Sequence, residues 1–169
     1  MVAEFLILAF LPATLVAAAG WDLASYTIPN FLQLMLIAGF VAFLAATGLS
    51  PIAISMHLAA GFVGLAIGFA LFALGYIGGG DAKLFACVAL WLGFNDLLSY
   101  ALFASLFGGA LTLGLLSLRR LPLPQGLAAQ NWILRLHDEQ GGIPYGVALA
   151  AGAFAILPQT EIFRLAAGI

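Results

Sequence analysis

The chain has 169 residues, 64% of them hydrophobic and 7% charged, with a net charge of -2 and a mean hydropathy of +1.17. Soluble domains carry about 25% charged residues, so this composition excludes a soluble globule and describes an integral membrane protein. It offers no basic patch with interleaved aromatics for nucleic acid, and the single Cys87 excludes an intrachain disulfide framework and a cysteine zinc site.

A transmembrane helix needs about 20 apolar residues to cross about 30 Å of hydrocarbon. On that measure the chain is all-α, a polytopic membrane protein of about six spans forming a single domain over residues 1–169, with no separate soluble domain. The first predicted span covers residues 2–20. It carries Glu4 where a signal peptide would carry a base, and so reads as a retained helix. Asp22 follows it, and then the Ile28-Pro29-Asn30 break, where Pro29 drives Ile28 out of helical geometry and opens a new helix. The second span covers 31–47. The third covers 54–77, with Gly61, Gly64 and Gly68 on one face for close packing of a neighbour.

Between Lys83 and Asp96 only residues 84–95 remain, roughly 18 Å of helix at 1.5 Å per residue. A fourth span must therefore take in either the preceding Gly78-Gly79-Gly80-Asp81 or the following Asp96, and the first choice places Asp81 and Lys83 at the membrane boundary. The fifth span covers 97–118. A polar connection over 119–142 contains a short amphipathic stretch at 131–137, and a sixth, shorter span covers 143–157.

Spans two and three form a hairpin, so Asp22 and Asp81 emerge on the same side. That side also holds Lys83, Arg119, Arg120 and Arg135, while Glu4, Asp96, Glu161 and Arg164 lie on the other. The positive-inside rule makes the shared side cytoplasmic and the N-terminus external. His57 falls near a span end on the outer side and reads as an interface residue.

Carboxylates at membrane depth are costly and raise a functional hypothesis. Two brought together tend to share a proton, so that one serves as base toward a water while the other polarises a carbonyl. The structural alternative is helix capping, which suits Asp81 at a helix start and does not suit Asp22 after a helix end. The glycines permit close approach of a substrate strand, or form a simple flexible turn. Lys83 either favours an ionised carboxylate or reaches lipid headgroups. His137-Asp138-Glu139 has metal-ligand composition, but consecutive residues rarely converge on one ion, and neither a metal nor a cofactor is expected. Besides an aspartyl peptidase, the same acids fit a proton-coupled carrier or channel, and a non-enzymatic scaffold remains a third reading.

Three segments in order resemble one family. Gly78-Gly79-Gly80-Asp81 is similar to the G-x-G-D motif of intramembrane aspartyl peptidases, and with Ala82-Lys83-Leu84 it resembles the type IV prepilin peptidases. Asp22 with Ile28-Pro29-Asn30 resembles that family's first catalytic motif, and Pro144-Tyr145-Gly146-Val147-Ala148 its late P-Y-G-x-A segment. The resemblance implies a hydrolase of the bacterial inner membrane that removes the leader of prepilins or pilin-like proteins at the cytoplasmic face. Asp22 and Asp81 would be the catalytic pair. Gly78, Gly79, Gly80, Lys83, Pro29, Asn30, Pro144, Tyr145 and Gly146 would be supporting residues, with membrane lipid and pilus assembly machinery as further partners. Large family members also hold zinc on paired C-x-x-C motifs and methylate the new N-terminus. With one cysteine this chain departs from them, so peptidase activity alone is expected. The compact form resembles the peptidases of tight-adherence (Flp) pilus systems, with archaeal preflagellin peptidases as a similar alternative.

Overall fold

The computed structural model describes all residues except 125, 127–129 and 169. Helix α1 runs over Val2–Ser25, opening to a π-turn at Leu6–Phe10. Pro12, just beyond that turn, lacks an N–H and crowds the carbonyl four residues back, a conflict that a π-turn absorbs without breaking the helix. The helix ends at Tyr26, which takes the left-handed conformation at φ 55°. It therefore extends about a turn beyond the expected stop at residue 20, and Asp22 lies in its last turn rather than after it.

Helix α2 spans Asn30–Thr47 behind Pro29. Helix α3 spans Pro51–Ala73, its start capped by the Ser50 hydroxyl, which accepts from the Ala53 N–H at 3.2 Å. The chain then turns through Gly75, at φ 77°, before α4 at Gly79–Leu92. Helix α5 spans Phe94–Arg119, α6 Asn131–His137 and α7 Tyr145–Ile156. A 3-10 turn, Leu157–Gln159, leads to α8 at Glu161–Ala167, bent by 60° from the preceding helix.

Among the described residues four helices, α1, α2, α3 and α5, are long and apolar enough to cross a membrane. The bent pair of α7 and α8 makes a fifth if it counts as one span. The expected six are corrected on this point, and α4, together with the bend between α7 and α8, accounts for the difference. Helix α4 does begin at the glycines, as its length requires, but its 14 residues give only roughly 21 Å of rise. It is instead the central helix. Leu84, Val88 and Trp91 are buried against Leu36, Phe40 and Phe43 of α2, and the Trp91 indole donates to the Leu36 carbonyl at 2.9 Å. Too short to span, α4 has most of its residues from Asp81 to Leu92 buried among the other helices.

The glycine face of α3 packs on α4 as expected. A Cβ on Gly64 would lie 2.8 Å from the Ala89 Cβ, and one on Gly68 2.9 Å from the Ala82 carbonyl oxygen. Because backbone cannot yield as a side chain does, Gly68→Ala is expected to destabilise the protein by about 1–3 kcal/mol. Thermal unfolding in detergent should show a lowered midpoint for it and none for Gly114→Ala, whose Cβ meets nothing within 4 Å. His57 is buried, not interfacial, with Nδ1 2.9 Å from the Leu90 carbonyl oxygen. The outer faces carry exposed Phe62, Leu102, Leu106 and Leu113, the inverted pattern of a protein whose solvent is lipid.

Candidate active site

Asp81 is the third residue of α4 and is buried. One of its carboxylate oxygens, Oδ2, accepts from the Gly78 N–H at 3.1 Å, the kind of bond that satisfies a free donor at a helix start. The other, Oδ1, is buried with no hydrogen-bond partner. Asp22, also buried, accepts through Oδ2 from the Gly146 N–H at 2.7 Å. Gly146 is the second residue of α7, so Asp22 caps a helix other than its own. Its place in the last turn of α1, unfavourable for an acid, is offset by the positive end of α7.

Ile28 ties the two acids together. A Cβ on Gly80 would sit 3.2 Å from the Ile28 Cβ, and one on Gly146 would sit 2.9 Å from the Ile28 Cδ1 and 2.9 Å from the Asp22 Oδ2. The side chain of Ile28 is thus clasped between the glycine that precedes Asp81 and the glycine that binds Asp22. Both acids lie at one end of the helix bundle, the end that the parity of the spans assigns to them.

Capping does not account for this arrangement. Burying a carboxylate costs several kcal/mol per ion, while a helix N-terminus returns about 2 kcal/mol at most. A serine or asparagine would make the same bond to a backbone N–H at lower desolvation cost. Two acids at such positions, one with an unpartnered buried oxygen, point to chemistry that needs a proton acceptor and a proton donor.

The remaining predicted residues divide. Gly78 supplies the bond to Asp81, Gly80 and Gly146 supply close approach, and Pro29 and Pro144 stand at the starts of α2 and α7. Gly79 begins α4 beside Phe72. Tyr145 lies against Gly108 of α5. Lys83 is exposed, and its Nζ donates to the Asn30 Oδ1 at 2.9 Å, so its charge is directed away from the acids. Three residues contribute that the sequence did not single out. Ile28 belonged to a noted motif, but only its neighbours drew attention. Gln33 is buried on α2 with Nε2 3.5 Å from the Gly80 carbonyl oxygen and its own Oε1 unpartnered. Arg119 is the third, and an arginine closing a long apolar span is the signal that could have found it.

The sequence model of the type IV leader peptidase family matches residues 9–113, more than half of the chain. The chain belongs to this family. No curated protein and no solved structure gives a match. The matched stretch of this leader peptidase contains Asp22, Ile28-Pro29-Asn30 and Gly78 to Asp81, while Pro144-Tyr145-Gly146 lies beyond it and reaches the site through the bond from Gly146 to Asp22. Membership makes the protein a peptidase of prepilin-type substrates.

Arg119 holds the segment that brings Gly146 into place. Expected as part of a polar connection, its side chain is buried. Its Nε donates to the Leu136 carbonyl at 2.8 Å, Nη1 to that of Gly141 at 3.0 Å and Nη2 to that of Gly142 at 2.8 Å. Hydrogen bonds to a charged group contribute about 1.5–3 kcal/mol each, and a planar fork of donors is needed to reach three carbonyls at once. Both Arg119→Ala and Arg119→Lys are therefore expected to lower the thermal midpoint and slow leader cleavage, the lysine variant only slightly less. Retained activity in the lysine variant would show that the fork does not position the 136–142 segment.

Proposed function

We propose that this leader peptidase is an aspartyl endopeptidase that removes the leader of prepilins or pilin-like proteins at the cytoplasmic face of the bacterial inner membrane. The observation that carries the reading is the pair of buried acids, each held through one oxygen by a backbone N–H, with the Asp81 Oδ1 unpartnered. Acting together, the two share one proton. The ionised member takes a proton from a water as its oxygen bonds to the scissile carbonyl carbon. The protonated member donates to the carbonyl oxygen, giving a gem-diol. As the C–N bond breaks, the leaving nitrogen takes a proton from the protonated carboxyl while one hydroxyl of the gem-diol gives its proton to the other carboxylate, leaving a carboxylic acid, an amine and the pair with one proton.

Orientation rests on charge. Lys83, Arg119, Arg120 and Arg135 are at the end that holds the acids, and Glu4, Asp96, Glu161 and a single base, Arg164, are at the other, which favours a cytoplasmic site and an external N-terminus. Residues 1–169 act as one transmembrane peptidase unit. The single cysteine supports cleavage without N-methylation, since the paired C-x-x-C zinc ligands have no counterpart.

Co-expression with pilin-like proteins tests the reading. The cleaved product should migrate faster and carry a new, unmethylated N-terminus. Intact precursors together with proton flux in reconstituted vesicles would instead support a carrier built on the same acids.

A further inference from the structure

We infer that a lateral groove between α3, α5 and α7 receives an apolar helical segment of the substrate. This rests on the peptidase reading above. The groove has a volume of about 590 Å³, and Asp81 lines it together with Ile67 and Leu71 of α3, Gly109 and Leu113 of α5 and Leu149 of α7.

Two independent observations select this occupant. Asp81 is nine-tenths buried, and its Oδ1 is a buried oxygen with no protein partner, as expected of an atom awaiting a group from outside the fold. Gly109 lies in mid-helix, where glycine costs about 1 kcal/mol relative to alanine, yet a Cβ there would meet nothing within 4 Å. Its neighbour Gly108 is used by the fold, since a Cβ on it would touch the Tyr145 ring at 3.4 Å. The width left at Gly109 is therefore open to a guest. Along α5 the groove extends from residue 101 to 113, roughly 18 Å of helix rise, so about three turns of a guest helix lie in it. Its walls are apolar apart from Asp81, Ser105, Thr112 and Tyr145. A substrate bound this way keeps its helix in lipid and brings only the scissile bond to the acids.

A second groove of about 520 Å³ lies between α2, α3 and α4. The α4 residues that line it, Lys83, Ala86, Cys87 and Leu90, stand 140–240° around the helix from Asp81 at about 100° per residue. It faces away from the chemistry, which excludes it as the cleavage groove.

The experiment uses the full chain in membranes with a pilin-like substrate. Gly109→Phe puts a ring into the groove from a position whose Cβ meets nothing within 4 Å, and Gly114→Phe, whose Cβ is equally open but lies outside the groove, is the control. We expect Gly109→Phe to raise KM at least tenfold with an unchanged thermal midpoint, and Gly114→Phe to cleave as the unmodified protein does. In the otherwise unmodified chain, a photo-crosslinking residue in place of Leu113 should capture the substrate helix, and one in place of Phe62, in the second groove, should not. Unimpaired cleavage by Gly109→Phe, or capture from position 62 alone, overturns the groove while leaving the peptidase reading intact. Capture from position 113 by a protein that cleaves no precursor overturns the peptidase reading and leaves the groove standing.

Discussion

Replacing Asp81 by asparagine is expected to lower the rate of leader cleavage by about 10²–10⁴-fold, the usual contribution of a positioned acid or base. Asp22→Asn should do the same. Asparagine keeps the shape of each side chain, and its carbonyl oxygen still accepts from Gly78 at position 81 or from Gly146 at position 22. What it removes is the ability to exchange a proton. The variants should therefore insert, and unfold at or above the midpoint of the unmodified protein, because a buried carboxylate has been replaced by a neutral amide. A precursor shift assay combined with thermal unfolding separates lost chemistry from lost fold. Cleavage at the normal rate by either variant would remove that acid from the mechanism.

Gly146→Ala is the second large effect. The new Cβ would lie 2.9 Å from the Asp22 Oδ2, 2.9 Å from the Ile28 Cδ1 and 3.0 Å from the Asp22 Cβ, so the start of α7, Asp22 or Ile28 must shift. Overpacking of this kind costs about 1–3 kcal/mol, and misplacement of a catalytic group by 1 Å costs on the order of 10²-fold in rate. We expect a modest drop in thermal midpoint and a fall in kcat of that order. Because the alanine touches the acid rather than the groove, KM should be nearly unchanged. A variant with normal kcat would show that Asp22 does not depend on its bond to Gly146.

The sequence disclosed the site better than the map of spans. Asp22 and Asp81 were brought to one end by parity, which needs only that α2 and α3 cross as a hairpin and is insensitive to helix length. Span counting failed at α4 because apolar composition does not distinguish a helix that faces lipid from one enclosed by others. Only its 14-residue length carried that information. The extension of α1 to Ser25 was hidden by Gly20, which resembles a helix stop but meets no neighbour and is simply tolerated. The bond from Gly146 to Asp22 joins residues 124 positions apart, and no local pattern encodes it. Arg119 was counted as a surface charge because a buried guanidinium and a cytoplasmic one look alike until the carbonyls it binds are placed.

The central claim, that Asp22 and Asp81 work as one unit, is tested most directly by the single-turnover cleavage rates of Asp22→Asn, Asp81→Asn and the double variant. Groups that act together are not additive, so the double variant should be no slower than the slower single variant. A double variant slower by the product of the two single losses would contradict the shared-proton pair.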